Sequence, residues 1–176
     1  MKIPVFKIFK YSKRASIVAT VAGLFVIFGG ASAYAAKSNA LPGSTLYPLK
    51  QAWEEGQMLL SFSPASKAQT QVGIAQDRIK AAQAVVSQTP AATSVAIPAL
   101  QQAQQHLDKA LTNTSEVTDP TQRQEIKKSI SDAAAEAETE LEHSSESESP
   151  SASDKQDIQN TSDQIKKVQD QASTGD

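Results

Sequence analysis

The chain has no cysteine, so neither a disulfide framework nor thiolate chemistry is available to it. That gap also argues against a small secreted domain of the disulfide-dense kind. Aromatic residues make up 5% of the 176 residues, with a single tryptophan. A thick core built on large rings is therefore disfavoured, and thin helices packed through small side chains are expected. The sequence contains no glycine-rich phosphate loop and no nucleophile elbow. His106 and His143 are the two side chains of the type that serves acid–base work at neutral pH, and no Cys or carboxylate stands at ligand spacing to complete a zinc set with either. His106 reads as a polar-face residue. His143 reads as part of a solvated acidic run with Glu140, Glu142, Glu146 and Glu148. Glu54 and Glu55 are adjacent, so on a helix they point apart and form no acid–base dyad. No enzymatic activity, metal or cofactor is expected.

Basic residues are scarce beyond the start of the chain. Five of the 17 (Lys2, Lys7, Lys10, Lys13 and Arg14) fall in the first 36 residues, which carry no acid. The remainder sets 12 basic residues against 19 acidic ones. An acidic body without a basic stripe argues against nucleic acid as a partner.

What is present begins with a basic head over residues 1–14 and an uncharged stretch over residues 15–36. At about 1.5 Å per residue, that stretch makes a helix of about 33 Å, enough to cross a hydrocarbon core of about 30 Å. Basic residues on one side and an acidic body on the other place the N-terminus inside and the body outside. A second reading competes. The strongest apolar run is only Ile17 to Phe28, and Ala31-Ser32-Ala33-Tyr34-Ala35-Ala36 offers small-x-small cleavage after Ala33 or Ala35. The segment is either an anchor or a cleaved signal, and both readings export the body.

From residue 37 onward the pattern is helical. Pro42-Gly43 signals a turn, and Ser44 or Thr45 offers a cap. Pro48 fits only a first helical turn. A first helix over about Thr45–Ser61 has Leu46, Leu49, Trp53, Gly56 and Leu60 along one side, with Trp53 as a core anchor. Ser63-Pro64 opens a second helix running to about Gln88. Its Ala65, Ala68, Val72, Ala75, Ile79, Ala82 and Val86 keep alternating gaps of three and four. A third helix, about Val95–Thr112, carries Ile97, Leu100, Leu107 and Leu111, with Ala103 and Ala110 beside them. A fourth, about Pro120–His143, carries Ile126, Ile130, Ala133, Ala137 and Leu141. Residues 144–153 are Ser- and Glu-rich and read as a disordered linker. Residues 154–176 carry a thin stripe of Ile158, Ile165, Val168 and Ala172, expected as a marginal helix. The chain is thus read as all-α: a membrane or signal helix, then an antiparallel hairpin or bundle of about four helices over residues 37–143, then the linker and tail.

The run Leu41-Pro42-Gly43-Ser44-Thr45-Leu46-Tyr47-Pro48-Leu49-Lys50, followed by Glu54 and Leu59-Leu60-Ser61, resembles the signature of a bacterial extracytoplasmic family, domain of unknown function 5667. Ala75, Arg78 and Ile79 match its second-helix core pattern, so the resemblance spans about Ala40 to Val86. Ser44 stands where Asp is frequent, and no carboxylate shortly follows Arg78, which removes an expected ion pair on that helix surface. The resemblance implies an envelope protein with one membrane segment, related in some members to regulators of extracytoplasmic sigma factors.

Three functions fit these observations. The first is a non-catalytic, membrane-tethered module that binds a protein or envelope partner, with the membrane itself engaged through residues 15–36. The second is a regulator sensing envelope stress or a ligand. The third is a secreted helical binding or structural protein left by signal cleavage. The expected interaction or structural motif is Pro42, Gly43, Leu46, Tyr47, Pro48, Leu49, Lys50, Trp53 and Arg78.

Overall fold

A computed structural model describes residues 44–88, 93–146 and 150–174. The head, the uncharged segment, the expected cleavage positions after Ala33 and Ala35 and the expected turn at Pro42-Gly43 lie outside these residues, as does the expected loop at 89–92. Among the described residues there are five α-helices and no strand: α1 (Tyr47–Leu60), α2 (Pro64–Gln88), α3 (Thr93–Ser115), α4 (Pro120–Glu146) and α5 (Ala152–Ser173). No helix among them is long and apolar enough to cross a membrane.

Local chemistry sets most helix starts. Ser63 Oγ accepts from the Ser66 N–H at 3.1 Å, with Pro64 in the first turn of α2. Asp119 Oδ1 accepts from Gln122 N–H at 3.0 Å ahead of α4. Ser151 and Asp154 form a reciprocal capping box at α5. The start of α1 differs from the expected cap. Leu46 is its N-cap and makes no side-chain cap, and the Ser44 carbonyl accepts from Tyr47 N–H instead.

The apolar periodicities become one core. All seven spaced positions of α2 are buried, as are the α3 and α4 stripes, except that Leu111 is only partly covered. Alanines recur where helices cross: Ala68, Ala75, Ala82, Ala96, Ala103, Ala110 and Ala137 are all fully buried. Small side chains there let the backbones approach closely. Gln71 on α2 meets His106 on α3, and only four residues join the two helices, so they run antiparallel. On α4 and α5, Ser131 pairs with Ser173 at 3.3 Å and Glu138 with Lys166 at 3.4 Å, again antiparallel. Helices α3 and α4 form the shared centre, with α2 and α5 packed to either side.

Two expectations need correction. Residues 144–146 continue α4 rather than opening a linker, and the tail is a full bundle member. Ile158, Ile165, Val168 and Ala172 are all buried against α3 and α4. Tertiary packing, which supplies most helical stability in proteins, outweighs the polar composition of this segment.

The second correction concerns the orientation of α1. The side expected to face the core faces outward: Leu46 and Leu60 are exposed, and Leu49, Trp53 and Gly56 are only partly covered. The buried side is Tyr47, Lys50 and Glu54. Trp53 is therefore not a core anchor. It lies along the edge of α2, in a shallow groove with Thr70, Gly73, Ile74 and Asp77. The surface that α2 offers to α1 is polar, so the polar side of α1 is the one that fits it.

Candidate functional site

The buried side of α1 and the facing residues of α2 and α3 form a polar cluster. Arg78, on α2, is 1% exposed and donates to Glu54 Oε2. One turn earlier on α1, Lys50 stands 3.7 Å from Asp77. The Arg78 guanidinium carbon also lies 4.9 Å from the centre of the Tyr47 ring, a cation–π stack. The Tyr47 hydroxyl donates to Gln102 Oε1 on α3, so one tyrosine touches both helices beneath it. Helical spacing explains the set. Positions 47, 50 and 54 fall on one face, and Asp77 and Arg78 present opposite charges side by side to receive it. The carboxylate missing shortly after Arg78 on α2 is thus supplied from α1.

Further along, Gln71 bridges helices. Its Nε2 donates to Met58 Sδ at 3.2 Å, and its Oε1 accepts from His106 Nδ1. Burial, aided by the charges of Lys109 and Arg78, pushes the His106 pKa down to about 4. Burial also raises the Glu54 carboxyl above its ordinary value, against the opposing pull of Arg78 and Lys50. The Tyr47 hydroxyl is raised for the same reason, with Arg78 opposing. Glu54 Oε1 and Arg78 Nε and Nη1 find no hydrogen-bond partner among the described residues.

Above this cluster, α1 and α3 bound a groove of about 640 Å³ across α2. Glu54, Gln71, Arg78, Gln102, His106 and Lys109 are among its lining residues. Its lining combines the amide, guanidinium, ammonium and imidazole donors of Gln71, Arg78, Lys109 and His106 with the carboxylates of Glu54 and Glu55. Among the described residues no His, Cys, Asp or Glu set is arranged to hold a metal ion. His143 is exposed, while its neighbour Glu140 is buried, and burial raises the Glu140 carboxyl.

Of the residues expected at the motif, Tyr47, Lys50 and Arg78 come together. Leu46 and Pro48 are exposed, Leu49 and Trp53 half-buried, and Pro42 and Gly43 lie outside the described residues. Gln71 and Gln102 join the cluster without a signal in the sequence, because a glutamine's partner on another helix leaves no periodic trace; His106, expected on a polar face, is instead half-buried and bonded to Gln71. In the sequence, Glu54 figures as the carboxylate of the signature and as half of a rejected pair with Glu55, and neither reading points to Arg78.

The depressed His106 value has a testable sign. The folded state holds the ring neutral while the unfolded state protonates near pH 6.5, so the linked stability is fully present above 6.5 and lost as pH falls toward 4. It is of order 1–2 kcal/mol once solvent screening of the half-buried ring is allowed for. Urea midpoints taken at stepped pH for wild type and His106→Gln should therefore converge toward acid, with the wild-type curve falling more steeply across that window. Parallel curves would contradict the assignment.

No curated protein and no solved structure matches the chain. The family model for a domain of unknown function, DUF5667, matches residues 39–174, covering the signature turn, the polar cluster and every described helix. The chain therefore belongs to the DUF5667 family.

Proposed function

We propose that the chain is a membrane-tethered, extracytoplasmic helical interaction module without catalytic activity. The observation that carries this reading is the order of its parts. A basic head and a 22-residue uncharged segment are followed, within a few residues, by the family domain starting at residue 39. The groove over Arg78 supports binding, since it gathers hydrogen-bond donors and carboxylates from three helices. A partner with a mixed-charge polar segment, of protein or envelope origin, suits that lining.

Mass spectrometry of washed membranes and of the surrounding medium tests the tether. An intact chain beginning at Met1 in the membrane fraction is expected. A mature chain beginning at Tyr34 or Ala36 in the soluble fraction would overturn the tether and leave a secreted helical binding protein.

A further inference from the structure

We propose that the outward side of α1, together with the turn that follows it, lies on the surface of the bilayer that holds residues 15–36. The inference rests on the tethered reading above and specifies how the body sits on its membrane.

The sidedness of α1 is the starting point. At 100° per residue, Pro48, Leu49, Ala52, Gly56, Leu59 and Leu60 share one continuous arc opposite the buried Tyr47, Lys50 and Glu54. That arc carries no charge and no polar side chain. A helix of a water-soluble bundle turns its apolar stripe to the core and its charges to solvent. Here the polar side is fixed to α2 and α3 by the Glu54–Arg78 pair, the Lys50–Asp77 pair and the Tyr47–Gln102 bond. Among the described residues, the exposed large hydrophobic side chains are Leu46, Leu59, Leu60 and Phe62, with Leu59 at 80% and Phe62 at 85% exposure. All belong to α1 and its two flanks. A Cβ added at Gly56 meets no atom within 4 Å, so the arc is open at its middle. An apolar patch of this kind marks a surface that meets something other than water.

The length of chain before α1 indicates what that something is. Seven residues separate Ala36 from Ser44. Fully extended, they reach at most about 25 Å. The start of α1 is therefore confined close to the surface from which residues 15–36 emerge. The apolar area nearest to it is the headgroup–acyl boundary itself. Trp53 stands at the flank of the arc, where an indole with one apolar side and one N–H suits a headgroup layer. A second copy of the chain fits less well. One face of a helix about 21 Å long and about 10 Å across falls short of the roughly 800 Å² per partner of a standard interface.

Lys50 is buried and the arc is uncharged, so contact with lipid is apolar rather than electrostatic. It needs no anionic lipid and resists salt, unlike a basic amphipathic helix.

Trp53 is the single tryptophan of the chain and reports its own surroundings. The full chain is reconstituted in phosphatidylcholine vesicles whose acyl chains are brominated near the headgroup end. Because an interfacial helix sits about 5–10 Å into that boundary, Trp53 emission is expected to fall by roughly half relative to unbrominated vesicles. The loss should be unchanged by high salt. Converting Leu59, Leu60 and Phe62 together to Ser should abolish the quenching while the chain still floats with the vesicles and keeps its helical circular dichroism. A wild-type chain that does not float with the vesicles overturns the tether and the inference with it. A chain that floats but shows no quenching overturns the inference alone and leaves the tether standing. Shielding of Trp53 from aqueous iodide that grows with protein-to-lipid ratio, without bromine quenching, would assign the face to a second copy instead.

Discussion

The Arg78→Met variant is expected to lose about 3–5 kcal/mol of unfolding free energy near neutral pH, because it leaves the Glu54 carboxylate buried without its counter-charge. Methionine keeps the apolar stem of the side chain, so the cost reports the charge, its hydrogen bond and the stack on Tyr47 together. Urea unfolding followed by far-ultraviolet circular dichroism measures it. A second variant, Arg78→Met with Glu54→Leu, should recover much of the loss, since removing both charges removes the uncompensated desolvation. A double variant as unstable as the single would show that shape, not charge, dominates at this site.

The same site fixes how that cost varies with pH. Glu54 titrates above its ordinary range in the fold, so the fold favours its protonated form. Stability linked to this group is fully present below its unfolded pKa of about 4.5 and is lost as pH rises through the raised folded value. Without Arg78, the strongest influence lowering that value is gone, and the carboxyl titrates higher still. The penalty of Arg78→Met should therefore shrink on acidification. This runs opposite in sign to the His106 effect, and comparing the two single variants across one pH series separates them.

Ile165→Ala is the second variant with a large expected effect, about 2–5 kcal/mol, since Ile165 is fully buried between α5 and the helices beneath it. Loss of that size is a substantial part of the total stability of about 5–15 kcal/mol usual for a domain. The unfolding transition should shift as a whole, because α5 contributes to the common core with Ile158 and Val168. A midpoint equal to that of wild type would mean that residues 152–173 ride on the bundle without supporting it.

The two places where sequence and structure part are instructive. Alternating gaps of three and four from Ala65 to Val86 named every buried position of that stripe on α2. The stripes on α3 and α4 were equally legible, since in both cases the apolar side is also the covered side. On α1 that equivalence breaks. Periodicity located the apolar arc of Leu49, Trp53, Gly56 and Leu60, but not which side of α1 the bundle covers. That choice is made by Gln71, Asp77, Arg78 and Gln102 on the neighbouring helices, whose polarity selects Tyr47, Lys50 and Glu54. The tail went the other way. Four apolar residues in a Gln-, Asp- and Lys-rich segment look marginal in isolation, yet the shared surface of α3 and α4 gives that thin stripe a place to dock. In both cases the missing information sits on another helix.

The alanine seam between the helices carries a thermal consequence. Unfolding raises the heat capacity through exposed apolar area and lowers it through exposed peptide. A methyl group adds little of the first, while every helical residue adds its share of the second. The heat-capacity change of this bundle is therefore expected toward the low end of the usual roughly 12–15 cal/mol/K per residue, which calorimetry of the unfolding transition checks. A smaller change flattens the curve of stability against temperature. Alanine also has almost no side-chain freedom to lose on folding, so the seam gives up less entropy on closing than leucine would. A domain joined in this way keeps a nearly even margin of stability over a wide span of temperatures.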